Sequence, residues 1–228
     1  MKHFLLTRWN QLDDTDSVYS FNKVTDPEKW NAERKSLFEK YCLPSVKAQT
    51  NKNFTWLLAF NSNTPKSLYK EYEKLPYVKI IFDCHPSTYI RNLKGNEIKE
   101  GEWITTSRLD NDDVIHQAYI DSVKNLFPGR QFIVDFNGCQ YDTKTKKLHD
   151  PVRVKPNSPF LSLHEQVLED IKTCCWKSHS NMYAHFPGRK YKTTMYCQII
   201  HGNNIANKIV GKDITNKKEL SYFRKLLK

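Results

Sequence analysis

The chain has 228 residues, 39% hydrophobic and 13% aromatic, and its 36 Lys and Arg against 25 Asp and Glu give a formal charge of +11. That length and composition suit one soluble globular domain with a proper core. No apolar run reaches the eighteen or so residues of a membrane span, and the opening MKHFLLTRWN turns polar too soon for a signal peptide, so a cytoplasmic location is expected.

In chain order, HFLLT from His3 reads as a buried strand. TDPEKWNAERKSLFEKYCL reads as a helix, with Asp26 or Thr25 as cap, Pro27 in the first turn, and Trp30, Leu37, Phe38 and Tyr41 at helical spacing. TWLLAF from Thr55 is the next strand, PKSLYKEYEKL a helix, YVKIIF from Tyr77 a third strand and WITTSRL from Trp103 a fourth. Val114, Ile115, Ala118, Tyr119, Val123, Leu126 and Phe127 then mark a helix that stops at Pro128 and Gly129. This alternation is the pattern of a mainly parallel sheet.

Beyond Gly129, QFIVDF from Gln131 and LHDPVRV from Leu148 flank the lysine-rich DTKTKK, which predicts an antiparallel hairpin excursion. SLHEQVLEDIKTC from Ser162 reads as a short helix, TTMYCQIIH from Thr193 as a strand, and NKKELSYFRKLLK as a terminal amphipathic helix. The expected fold is one α/β domain over 1–228, a Rossmann-like parallel sheet flanked by helices.

The six cysteines lack CxxC spacing and are expected to be reduced and mostly buried. With only seven glycines and no GxGxxG or GxxxxGK[ST], the chain has no backbone cradle for phosphates, so phosphate charge would fall to a metal and to arginines. Arg8 and Arg108, at the ends of the first and fourth strands, are placed for that.

The stretch TTSRLDNDD gathers Asp110, Asp112 and Asp113 at the carboxyl end of a strand, where open α/β sheets bind ligands. On an extended segment Asp110 and Asp112 face the same way and could hold Mg²⁺ or Mn²⁺. The alternative is that Asp112 or Asp113 only caps the following helix.

The order FLLTRWN, LPSVKAQTNKNFTWLLAFNSNTP, TTSRLDNDD, SPFLSLHEQ and QIIHGNN resembles a family of small bacterial and viral rhamnosyltransferase-like enzymes, and more broadly the GT-A glycosyltransferases, from Phe4 to about Asn207. The resemblance implies a GT-A-like fold, with a nucleotide-sugar-binding half (1–129) and an acceptor-side half (130–228). It implies a donor site of Thr7, Arg8, Asn61, Arg108 and Asp110, and Mn²⁺ or Mg²⁺ on Asp110, Asp112 and His201. Asn61 departs from it, standing where an acidic residue is usual.

A transferase that inverts configuration needs a carboxylate for the acceptor proton. Glu165 is the candidate, with Asp135 and Asp170 as substitutes. Ser162 and Glu165 also have the spacing of a capping box. The implied function is transfer of a sugar from a nucleotide donor to a hydroxyl of a glycan or of modified DNA. The rival reading is a non-catalytic nucleic-acid-binding module that uses the positive charge. The basic residues of the hairpin, of HFPGRKYK from His185 and of the terminal helix favour a polyanionic acceptor.

Overall fold

The computed structural model describes residues 1–10, 24–150, 158–202, 204 and 208–228. Strand β1 (Lys2–Arg8) leads to helix α1 (Pro27–Leu37), a π-helical turn (Phe38–Cys42) and α2 (Leu43–Lys47). Then come β2 (Thr55–Phe60), β3 (Val78–Phe82), α3 (Pro86–Asn92), β4 (Trp103–Arg108), β5 (Val114–Ile115) and α4 (Tyr119–Asn125). The remainder is β6 (Phe132–Asp142), β7 (Lys147–Asp150), β8 (Ser162–Gln166), β9 (Gly188–Ile200), β10 (Lys212–Asp213) and α5 (Ser221–Leu226).

One sheet runs β10-β7-β6-β8-β4-β1-β2-β3, with β9 on β6 and β5 on β9. The neighbours β3, β2, β1 and β4 are parallel, so their carboxyl ends share one edge. Because helices and loops cover both faces, β1 and β2 are apolar on both sides rather than alternating. Leu5, Trp56, Leu58 and Phe60 pack on one face with Phe38 and Tyr119. Phe4, Leu6, Leu57 and Ala59 pack on the other with Ile104 and Leu163. Each fully buried leucine here is worth about 2 kcal/mol of transfer free energy.

The β6–β7 pair forms the expected antiparallel hairpin; residues 151–157 of the second flank lie outside the described residues. Helix α1 starts as expected, with Asp26 accepting from Lys29 N at 3.0 Å and Pro27 in its first turn.

Three predicted helices differ. Ser162–Gln166 is a strand wedged antiparallel between β4 and β6. Leu163, Val167 and Ile171 mimic a helical stripe, but a polar seam decides: Ser162 Oγ meets Ser107 Oγ at 2.5 Å and His164 Nδ1 meets Thr105 Oγ1 at 2.8 Å. The capping-box reading of Ser162 and Glu165 falls with it. Val114 and Ile115 are drawn into pairing with β9, which delays α4 to Tyr119. After a 3₁₀ turn at Lys66–Leu68, residues 69–75 are turns, and Tyr72 packs against Trp9 and Phe38.

Candidate active site

A cleft of about 490 Å³ opens at the carboxyl ends of β1 and β4, lined by Arg8, His85, Arg108, Asp110, Cys175 and Trp176 among others. Arg8 and Arg108 come from adjacent strands, since Leu6 pairs with Arg108 in the parallel register. Arg108 Nη2 donates to Asp110 Oδ1 at 3.0 Å, and this carboxylate holds the guanidinium pKa above its ordinary value despite burial.

The acidic segment is a turn, Asp113 N donating to Asp110 O at 3.3 Å, so the two-residue alternation of an extended chain does not operate. Asp110 faces the cleft and Arg108, whereas Asp112 turns to Arg34 and to His201, whose Nε2 lies 3.0 Å from Asp112 Oδ2. Burial opposes ionisation of Asp112, but the His201 hydrogen bond and the charge and hydrogen bond of Arg34 outweigh it, leaving its pKa below the usual value. Asn111 donates to Arg8 O at 3.2 Å and so ties the turn to the end of β1. Asp113 is buried and accepts from Ile199 N at 2.7 Å; burial and the charges of Asp112 and Asp110 push its pKa well up.

A carboxylate and an imidazole nitrogen meeting at one point suit Mn²⁺ or Mg²⁺ in donor type. Among the described residues no three such groups gather, because Asp110 is turned away to Arg108.

The other predicted site residues lie elsewhere. Thr7 is fully buried, its hydroxyl donating to Leu109 O at 2.8 Å and accepting from Trp56 Nε1 at 3.0 Å. Asn61 braces the turn after β2, its side chain accepting from Asn63 N at 2.8 Å. Neither lines the cleft.

Glu165 is buried in β8 and accepts from Lys172 N and Thr173 N, both at 2.8 Å. It thereby braces the loop that carries Cys175 and Trp176 to the cleft, and it is not itself among the lining residues. Asp135 is buried in β6, accepting from Ser158 N at 3.2 Å. Asp170 is an exposed partner of Lys172.

Arg34 and Cys175 had no role in the sequence reading. Arg34 had a signal: it stands four residues after Trp30 and three before Leu37, a charge on the apolar stripe of α1. Its guanidinium lies 5.2 Å from the Trp30 ring centre. Cys175 had none, because its neighbour Arg108 is distant in sequence. Its Sγ is 3.8 Å from that of Cys174, and the Cys174 hydrogen bond, with Arg108 and Arg8 nearby, pulls its pKa down to about 7 against the effect of burial.

Solved structures share this fold. Residues 1–349 of S. aureus TarS in complex with UDP-GlcNAc superpose at TM-score 0.52 and 11% identity, covering 90% of this chain and 60% of that one. A second structure of S. aureus TarS 1–349 gives 0.51 and 11%, covering 87% and 60%, so this chain spans about 60% of the length of those it matches. The mixed sheet with its parallel core is thus a GT-A-like α/β fold. No curated protein matches the sequence. A family model described as "Putative rhamnosyl transferase" matches residues 11–213, and the chain accordingly belongs to the rhamnosyl transferase family.

Proposed function

We propose that the protein transfers a sugar from a nucleoside-diphosphate donor, bound in the cleft between the ends of β1 and β4, to a hydroxyl acceptor. The observation that carries this is the pairing of Arg8 and Arg108 at the cleft beside Asp110, within a chain of this family. The family description points to rhamnose and the TarS complex contains UDP-GlcNAc; a diphosphate joined to a sugar is what the two chemistries share.

Departure of the nucleoside diphosphate puts negative charge on its oxygens, and guanidinium groups fixed beforehand by neighbouring carboxylates stabilise that charge without rearranging. Arg108, oriented by Asp110, meets this description, and Arg8 stands next to it. Trp176 gives the cleft an apolar wall, set by the loop that Glu165 braces. Asp112 and His201 are the residues that would hold Mn²⁺ or Mg²⁺, with Asp110 joining if it leaves Arg108. The ion would supply Lewis-acid neutralisation of the departing diphosphate. A non-catalytic basic module would have no use for the cleft or its paired arginines.

The test is a thermal-shift screen of UDP-GlcNAc and a nucleoside-diphosphate rhamnose, with and without Mn²⁺. A rise in melting temperature with at least one donor, lost in Arg108→Gln, is expected. No shift with any nucleotide sugar under either condition would overturn the proposal.

A further inference from the structure

A second cavity, of about 410 Å³, lies on the acceptor-side half. Three separate parts of the chain meet there: Lys40 from the π-helical turn, Tyr141, Lys146 and Leu148 from the β6–β7 hairpin, and Arg224 of α5 with Leu227 just after it. Lys228 and Thr215 complete it, and among the described residues no acidic side chain lines it. Nearby acids are engaged elsewhere: Asp213 with Lys147 at 3.0 Å, and Asp150 with Lys217 at 4.0 Å.

The walls are fixed. Arg224 Nη1 donates to Thr215 O at 2.6 Å and to Lys217 O at 2.7 Å, so its guanidinium is held in place while keeping its charge. Tyr141 OH donates to Leu227 O at 3.2 Å and locks the end of α5 over the hairpin. Lys146 has φ 60°, the left-handed region that glycine or asparagine occupies at lower cost. The hairpin thus keeps a lysine in a conformation unsuited to it, facing a cavity already rich in positive charge. The turn holds it there, Lys146 N donating to Asp142 O at 2.8 Å.

We infer that this cavity binds a phosphate-bearing ligand with an apolar part, the phosphate meeting Lys40, Lys146 and Arg224 and the apolar part resting on Tyr141, Leu148 and Leu227. The cavity stands apart from the donor cleft, with which it shares no lining residue among the described residues.

Phenyl phosphate and inorganic phosphate serve as probes, titrated calorimetrically into the full chain across a salt series. Saturable one-to-one binding is expected, tighter for phenyl phosphate, weakening with salt, and unaffected by a nucleotide sugar that fills the cleft. Lys146→Glu should weaken it about tenfold or more, the loss of one charged contact plus repulsion. Lys146→Gly separates binding from folding: it relieves the backbone, so the melting temperature should hold or rise while affinity still falls. Absence of saturable binding at low salt, displacement of the probe by the nucleotide sugar, or wild-type affinity in both Lys146 variants would overturn the inference.

Discussion

His201 Nε2 lies 3.0 Å from Asp112 Oδ2, although the two residues are 89 apart in sequence. One comes from the end of β9 and the other from the turn after β4, and Arg34 of α1 closes the group from a third side. Asp110 and Asp112 of the LDNDD segment therefore carry different loads, which the first prediction separates.

Asp112→Asn should lower both stability and transfer, because it strips Arg34 of its counter-charge in a largely buried setting; breaking such a pair costs about 3 kcal/mol. Asp110→Asn, at the half-exposed cleft surface, should keep the unfolding free energy within about 0.5 kcal/mol of wild type and weaken donor binding instead. Mn²⁺ binding followed by electron paramagnetic resonance should fall in Asp112→Asn and in His201→Ala. Equal melting temperatures for the two Asn variants would contradict this division.

Cys175 should be the fastest-reacting thiol near neutral pH, since reactivity follows the thiolate fraction and Cys42, Cys139 and Cys197 are buried. Mass spectrometry after brief iodoacetamide treatment should find the label there, and a bound nucleotide sugar should protect it. Labelling that ignores the ligand would remove Cys175 from the donor site.

Glu165→Gln should act on stability. An amide offers one acceptor oxygen where the carboxylate offers two, so either Lys172 N or Thr173 N loses its partner, at about 1–3 kcal/mol for a buried donor. Donor affinity should fall as the loop loosens, while the pH profile of turnover keeps its shape. A lost ionisation in that profile, with an unchanged melting temperature, would restore Glu165 as the base.

Acid should destabilise the protein through two interior histidines. Burial, with the charges of His164 and Lys124 adding to it, lowers His3 to about 3, and burial lowers His164 to about 4. The unfolded chain takes up these protons below its ordinary histidine pKa of about 6.5 while the folded chain does not, so stability is complete above that pH and declines as pH falls towards 4, at about 1.4 kcal/mol per pH unit for each histidine. Urea unfolding at several pH values should show this slope, and His164→Gln should roughly halve it.

The sequence displayed the parallel core because it is built from local βα units: strands β1 to β4 and helix α1 announced themselves through apolar runs, Pro27 and Asp26. It placed Arg8, Arg108 and Asp110 correctly at strand ends. It misjudged β8 because the evidence for that strand is the seam of Ser107 with Ser162 and Thr105 with His164, which is invisible until the partners meet. Asp110 and Asp112 looked convergent only on the assumption of an extended chain, which the turn between them removes. Thr7 and Asn61 sit at strand ends as expected, but Trp56 and Leu109 claim the one, and the turn after β2 the other.

Strand β8 has a consequence for how the molecule is made. Strand β4 lies inside the finished sheet, yet its second neighbour is supplied by residues 162–166, well past the four parallel strands in sequence. A nascent chain halted near residue 129 would present that edge bare, with the Thr105 and Ser107 hydroxyls lacking His164 and Ser162. Exposed edges of this kind recruit other chains. The first half is therefore not a separable unit, and the ribosome must deliver about forty further residues before the sheet can close.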